Sequence, residues 1–97
     1  MKVLAIGRII KPVTPEQRAQ IMPNEVPATL KLYLDGKIEQ FFFRTDTPGV
    51  VFLMNVESVE EAKATVEALP LAIDGFAQYE LMPVGPLAPL GMLLQGA

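Results

Sequence analysis

The sequence predicts an α+β sandwich with one antiparallel sheet and helices on a single face of it. Three observations carry this reading. Four segments have the apolar density of strands, two segments carry helix start signals, and together they run β–α–β–β–α–β. The third is that strands one and three are apolar in both alternating rows. One row of the first strand reads Val3, Ala5, Gly7, Ile9 and the other Leu4, Ile6, Arg8, Ile10. A strand with one wet face alternates apolar with polar. Two helices cover one face of a small sheet, so the other face needs a partner, most simply a second copy of the chain.

Strand one is expected over residues 2–10, ending at Lys11-Pro12 because proline donates nothing to a ladder. Thr14-Pro15-Glu16-Gln17 then opens a helix: Thr14 caps, Pro15 suits the first helical position and Gln17 completes a capping box. Pro23 is expected to stop this helix and Asn24 to restart it, giving a broken helix with a kink near Pro23. Val26, Leu30, Tyr33 and Leu34 form the apolar stripe of the second piece, and Gly36 is its C-terminal stop.

Strand two is expected over residues 37–44. Ile38, Gln40, Phe42 and Arg44 share one face, and Glu39, Phe41 and Phe43 the other. The turn formers Asp46, Pro48 and Gly49 make the hairpin to strand three, residues 50–56. Ser58-Val59-Glu60-Glu61 is a second capping box, opening a helix to about Leu69 with Val59, Ala62, Val66 and Leu69 inward. Glu60, Glu61, Lys63 and Glu67 make its solvated side. Pro70 ends the helix and Asp74-Gly75 marks the next turn. Strand four, residues 76–83, places Ala77, Tyr79 and Leu81 opposite Gln78, Glu80 and Met82. The domain is therefore expected to span residues 1–83. Residues 84–97 form an apolar Pro/Gly-rich tail, expected to pack on a neighbouring subunit.

Composition bounds the chemistry. The 97 residues make one domain of 51% hydrophobic and 20% charged residues, apolar for its size, which points to an oligomer interface or a greasy cavity. Without cysteine there are no disulfides or thiolate metal sites; without histidine the usual neutral-pH proton shuttle is missing. Eight scattered Lys and Arg in a chain of net charge −3 argue against a nucleic-acid partner. No apolar run reaches the roughly 18 residues of a membrane span. MKVLAIGRIIK lacks a small-residue cleavage site and Arg8 interrupts it, so it reads as a strand and the protein as cytoplasmic.

The element order is that of a ferredoxin-like βαββαβ sandwich. Within it, VESVEEAKATVEALPLAIDG (residues 56–75) and the following residues 79–83 resemble the C-terminal half of the muconolactone delta-isomerase family. The shared features are a Ser-Val capping start, a helix ending in Leu-Pro-Leu and an acidic last strand. Glu25, in the helix that Gly36 ends, and Arg44, closing the next strand, also fit that pattern. The resemblance covers most of the chain, departing from it at Pro23, Pro27 and the tail and in the lack of histidine. It implies pairing through the sheet as a dimeric α/β barrel, a homodimer or higher homo-oligomer. It also implies a pocket for a small lactone or aromatic-derived molecule and chemistry with no metal and no organic cofactor.

Moving a proton along an unsaturated lactone needs a base and a group that stabilises enolate-like charge. Glu25, beside the proline break, is the candidate base, since burial raises a carboxylate's pKa; the alternative is a first-turn acid favoured by the helix dipole. Arg8 and Arg44 are candidates to grip a substrate carboxylate; the alternatives are an interface ion pair with Glu39 or Glu80, or a strand-end arginine reaching solvent. Tyr33, Asn55 and Tyr79 are candidate hydrogen-bonding contacts to a ligand. Three functions follow: a cofactor-independent isomerase-like enzyme, a non-catalytic oligomeric module that binds a small apolar or acidic ligand or assists an enzyme encoded nearby, or a purely structural oligomerising subunit.

Overall fold

The computed structural model describes residues 1–86. It contains β1 (Lys2–Ile9), α1 (Pro15–Leu34), β2 (Ile38–Phe43), β3 (Gly49–Asn55), α2 (Val59–Glu67), α3 (Pro70–Ile73) and β4 (Ala77–Val84). The strands make one sheet in the order β2-β3-β1-β4, every neighbouring pair antiparallel. This is the predicted βαββαβ sandwich. Val84 belongs to β4, so the tail starts one residue later than expected. Residues 87–97, the remainder of the tail, lie outside the described residues. Among the described residues no helix is long and apolar enough to cross a membrane.

Register assigns the two faces. Val3, Ala5, Phe52 and Met54 point toward the helices and are buried, joined by Ala62, Val66 and Leu69 from the helical layer. Burying each large aliphatic side chain of this set contributes about 1.5–3 kcal/mol. On the other face Leu4 lies between Leu53 and Met82, and Ile6 between Val51 and Glu80, all without a covering layer among the described residues.

Four expectations need correction. First, α1 is continuous through Pro23 and Pro27 rather than broken. Ala19, Pro23 and Pro27 are all exposed, so the carbonyls left without an amide donor lie on the watery side of the helix. Second, continuity fixes the phase of the whole helix, and the inward stripe is Ile21, Glu25, Ala28 and Leu32 at i, i+4, i+7, i+11. The expected stripe of Val26, Leu30, Tyr33 and Leu34 is exposed, Leu34 at 81%. Third, a register shift between Ile38 and Gln40 turns Ile38 into the core opposite Met54, while Gln40 and Phe42 take the uncovered face. Ile38 therefore does not share a face with Gln40 and Phe42. Fourth, Pro70 does not simply stop a helix. It occupies the first turn of α3, with Leu69 as N-cap.

The cap signals hold. Thr14 and Gln17 form a reciprocal capping box, with Gln17 N–H donating to Thr14 Oγ1 (3.2 Å) and Thr14 N–H to Gln17 Oε1 (2.9 Å). At α2 only half the box forms: Ser58 Oγ accepts from Glu61 N–H (3.0 Å), whereas the Glu61 carboxylate takes the Glu57 amide instead (2.7 Å). Gly36 closes α1 at φ 81° and Gly75 closes α3 at φ 78°, each followed by the amide bond of a Schellman motif.

Candidate functional site

Glu25 is the one charged side chain among the buried polar residues described, 7% exposed on the inward stripe of α1. Its Oε2 accepts a hydrogen bond from the Leu71 amide at 3.3 Å. That amide is an orphan donor in the first turn of α3, whose N-cap residue, Leu69, offers no side-chain acceptor. Glu25 thus caps a neighbouring helix from across the layer. Burial raises its pKa above the ordinary 4.5, and the Leu71 bond only partly offsets this. The first-turn reading of Glu25 does not apply, because α1 begins ten residues earlier at Pro15.

Tyr79 stands near it on the helix-facing row of β4, opposite Gly7 of β1. Glycine makes room for the ring as it lies: a Cβ on residue 7 would be 2.6 Å from Cε1 of Tyr79, so the ring would have to move. Phe52 stacks on the same ring, centroids 6.0 Å apart. Burial raises the phenol's pKa, and the negative charge of Glu25 raises it further, so the hydroxyl stays protonated. An open groove between α2, α3 and β4 reaches this ring past Lys63, Glu67, Ala72 and Gln78.

Arg8 and Arg44 meet at one end of the opposite, uncovered face. Arg8 sits between Gly49 and Gln78 in the sheet, and its Nη2 donates to Gln78 Oε1 at 3.2 Å. Arg44 is committed to Asp46 through two bonds, Nε–Oδ1 at 3.0 Å and Nη2–Oδ2 at 2.7 Å. That grip holds the Asp46 carboxyl down at about 2. Within the chain, Glu39 pairs with Lys2. Ile6, Tyr79 and Glu80 complete the groove around Arg8 and Arg44, so Tyr79 borders both this groove and the one on the helix side.

Two candidates stand apart. Asn55 pairs with Lys2 at the far end of the sheet, six residues along β1 from Arg8 and so roughly 20 Å away. Tyr33 lies on the outer flank of α1, its ring edge-on to Phe41 at 5.1 Å. The structure therefore joins Glu25 with Tyr79 and Arg8 with Arg44, on opposite faces of the sheet. Sequence reasoning missed the Leu71 amide, Asp46 as the partner of Arg44, and Gly7 as the seat of an aromatic ring. A glycine inside an apolar strand and a proline opening a short helix were the available signals. Among the described residues no three His, Cys, Asp or Glu side chains come together as a metal cluster.

No protein-family model matches the chain, and no curated protein does. Solved structures do. The fold is similar to that of muconolactone isomerase, with a TM-score of 0.76 and 19% identity over 91% of this chain and 92% of that one. It is also similar to 5-chloro-2-hydroxyhydroquinone dehydrochlorinase from Burkholderia phenoliruptrix, solved in complex with 2,5-dihydroxybenzoquinone. That match has a TM-score of 0.68 and 19% identity over 88% of this chain and 94% of the other. At such identity the likeness is one of fold.

Proposed function

We propose that this chain is an isomerase-like enzyme that shifts a proton between two carbons of a small lactone or aromatic-derived molecule, with Glu25 as the base. The observation that carries the reading is a lone carboxylate buried between helices and sheet, its basicity raised by desolvation. Oε2 is held by the Leu71 amide, and Oε1 takes no hydrogen bond from any described residue, which leaves it for a substrate C–H. The carboxylate removes a proton from the carbon beside the carbonyl, and the electron pair moves onto the carbonyl oxygen as an enolate. The protonated carboxyl exchanges with solvent, and a proton returns to the far carbon of the conjugated system. Atoms and charge balance with no other reactant. The fold likeness supports the proposal, since this architecture carries an isomerase of muconolactone and a dehydrochlorinase of a chlorinated hydroxyhydroquinone.

On the uncovered face, across the sheet from Glu25, Arg8 is the group that would hold a small carboxylate. Its guanidinium has only the neutral Gln78 as a partner among the described residues, whereas Arg44 is already neutralised by Asp46. The uncovered face, with Leu4, Ile6, Val51 and Leu53 at its centre, is covered by a second copy of the chain.

Glu25→Gln tests the base. The variant keeps an acceptor for Leu71 and loses the proton-transfer group. With muconolactone in deuterated water, the expected result is a fall in deuterium incorporation of at least about a thousandfold. Incorporation at the wild-type rate removes Glu25 from the mechanism.

A further inference from the structure

Taking a proton from carbon leaves negative charge on an oxygen, and Glu25, itself an anion, does nothing to hold that charge. We infer that Tyr79 is the hydrogen-bond donor for this oxygen and that Gly7 is the positioning residue that seats it; the inference rests on the proton-transfer reading of Glu25. Three features of the ring support the assignment. It is fixed rather than swinging, wedged over Gly7, where even one methyl group would intrude to 2.6 Å, and stacked on Phe52 from the other strand. Its hydroxyl makes no hydrogen bond to any described residue, although the ring is packed against the core. It borders the groove that opens between α2, α3 and β4, on the same side of the sheet as Glu25.

Such a donor, its ring fixed in advance by Gly7 and Phe52, stabilises charge as it develops with little reorganisation at the moment of transfer. The phenol also remains a donor throughout the working range, because burial and the neighbouring carboxylate both oppose its ionisation. The division of labour is then plain. Glu25 carries the proton, and Tyr79 carries the charge that the proton leaves behind.

The test compares two probes in the full chain. 4-Nitrophenolate presents a planar, delocalised oxyanion, whereas 4-nitroanisole has the same ring with that oxygen methylated and neutral. Tyr79→Phe keeps the ring on Gly7 and deletes only the donor. It should weaken 4-nitrophenolate binding about 10- to 100-fold, the loss of one hydrogen bond to a charged oxygen, and change 4-nitroanisole binding by less than about twofold. It should also lower kcat for proton transfer by about 100-fold or more with little change in KM. Gly7→Ala should reproduce the selective loss of the phenolate, and it should add nothing to that loss when placed in the Tyr79→Phe background. Equal loss of both probes, no loss of either, or a wild type that does not prefer the phenolate overturns the assignment. Glu25→Gln separates the two claims. If it abolishes proton transfer while Tyr79→Phe leaves phenolate binding intact, the donor is rejected and the base stands. If it transfers protons like wild type while Tyr79→Phe loses only the phenolate, the base is rejected and the donor stands.

Discussion

At the scale of single residues, the chemistry separates into two pairs divided by the sheet. Arg8 and Arg44 occupy the same groove but do different work. Arg44 spends its fork on Asp46, two residues on, and so braces the loop between β2 and β3. Arg8 keeps its charge available. Arg8→Ala is therefore expected to weaken binding of a small carboxylate by about tenfold or more, with Arg44→Ala having a clearly smaller effect on affinity, as calorimetry with each variant would show. Equal losses would mean that the Arg44–Asp46 pair opens on binding. The Asp46 carboxyl, held at about 2, contributes its share of this brace above the ordinary 3.8 and loses it as pH falls toward 2. Much of this was legible in the chain. Arg8 stands out in an apolar strand and Glu25 matches a family pattern, but nothing local says that an aspartate two residues on will consume the charge of Arg44. Nor does local sequence reveal that the Leu71 amide, 46 positions away, needs the carboxylate of Glu25.

Among the elements, capping chemistry was readable and phase was not. Thr14, Ser58, Gly36 and Gly75 mark helix ends through contacts within a few residues, so a sequence window contains the whole argument. The inward face of α1 is a property of all its residues together. A helix broken at Pro23 would let its second half choose the greasier face; a continuous one ties that half to Ile21 and brings Glu25 inward. The irregularity at Glu39 is equally invisible to a period-two pattern, because one extra residue exchanges the faces of everything before it. Its purpose is measurable at Ile38, 1% exposed and fully committed to the core. Ile38→Ala should cost about 2–5 kcal/mol in urea unfolding. A cost under about 0.5 kcal/mol would show that the strand slips back to unbulged pairing and leaves residue 38 outside.

For the whole molecule, the apolar excess in the composition has two destinations. Part of it fills the layer between sheet and helices, and part lies on the uncovered sheet face and along α1 and β2, where Phe43 is 87% exposed. A small domain leaves such area bare only at a cost in solubility, so self-association through the sheet is expected. Ile6→Glu, in the middle of that face, should shift the sedimenting species to a single chain with an unchanged circular-dichroism spectrum; a variant that sediments like wild type would rule out the face as the interface. The catalytic account rests on the other side of the sheet, and the most direct measurement of it is the titration of the Glu25 side-chain carboxyl, followed by carbon NMR in the intact assembly with Glu25→Gln for assignment. Burial without a compensating cation makes the folded chain hold this proton more tightly than the unfolded chain does. Its contribution to stability is thus greatest below 4.5 and is lost as pH rises through the folded value. A midpoint clearly above 4.5 is the result expected; a midpoint at or below 4.5 would mean a fully satisfied structural carboxylate and would contradict its role as the base.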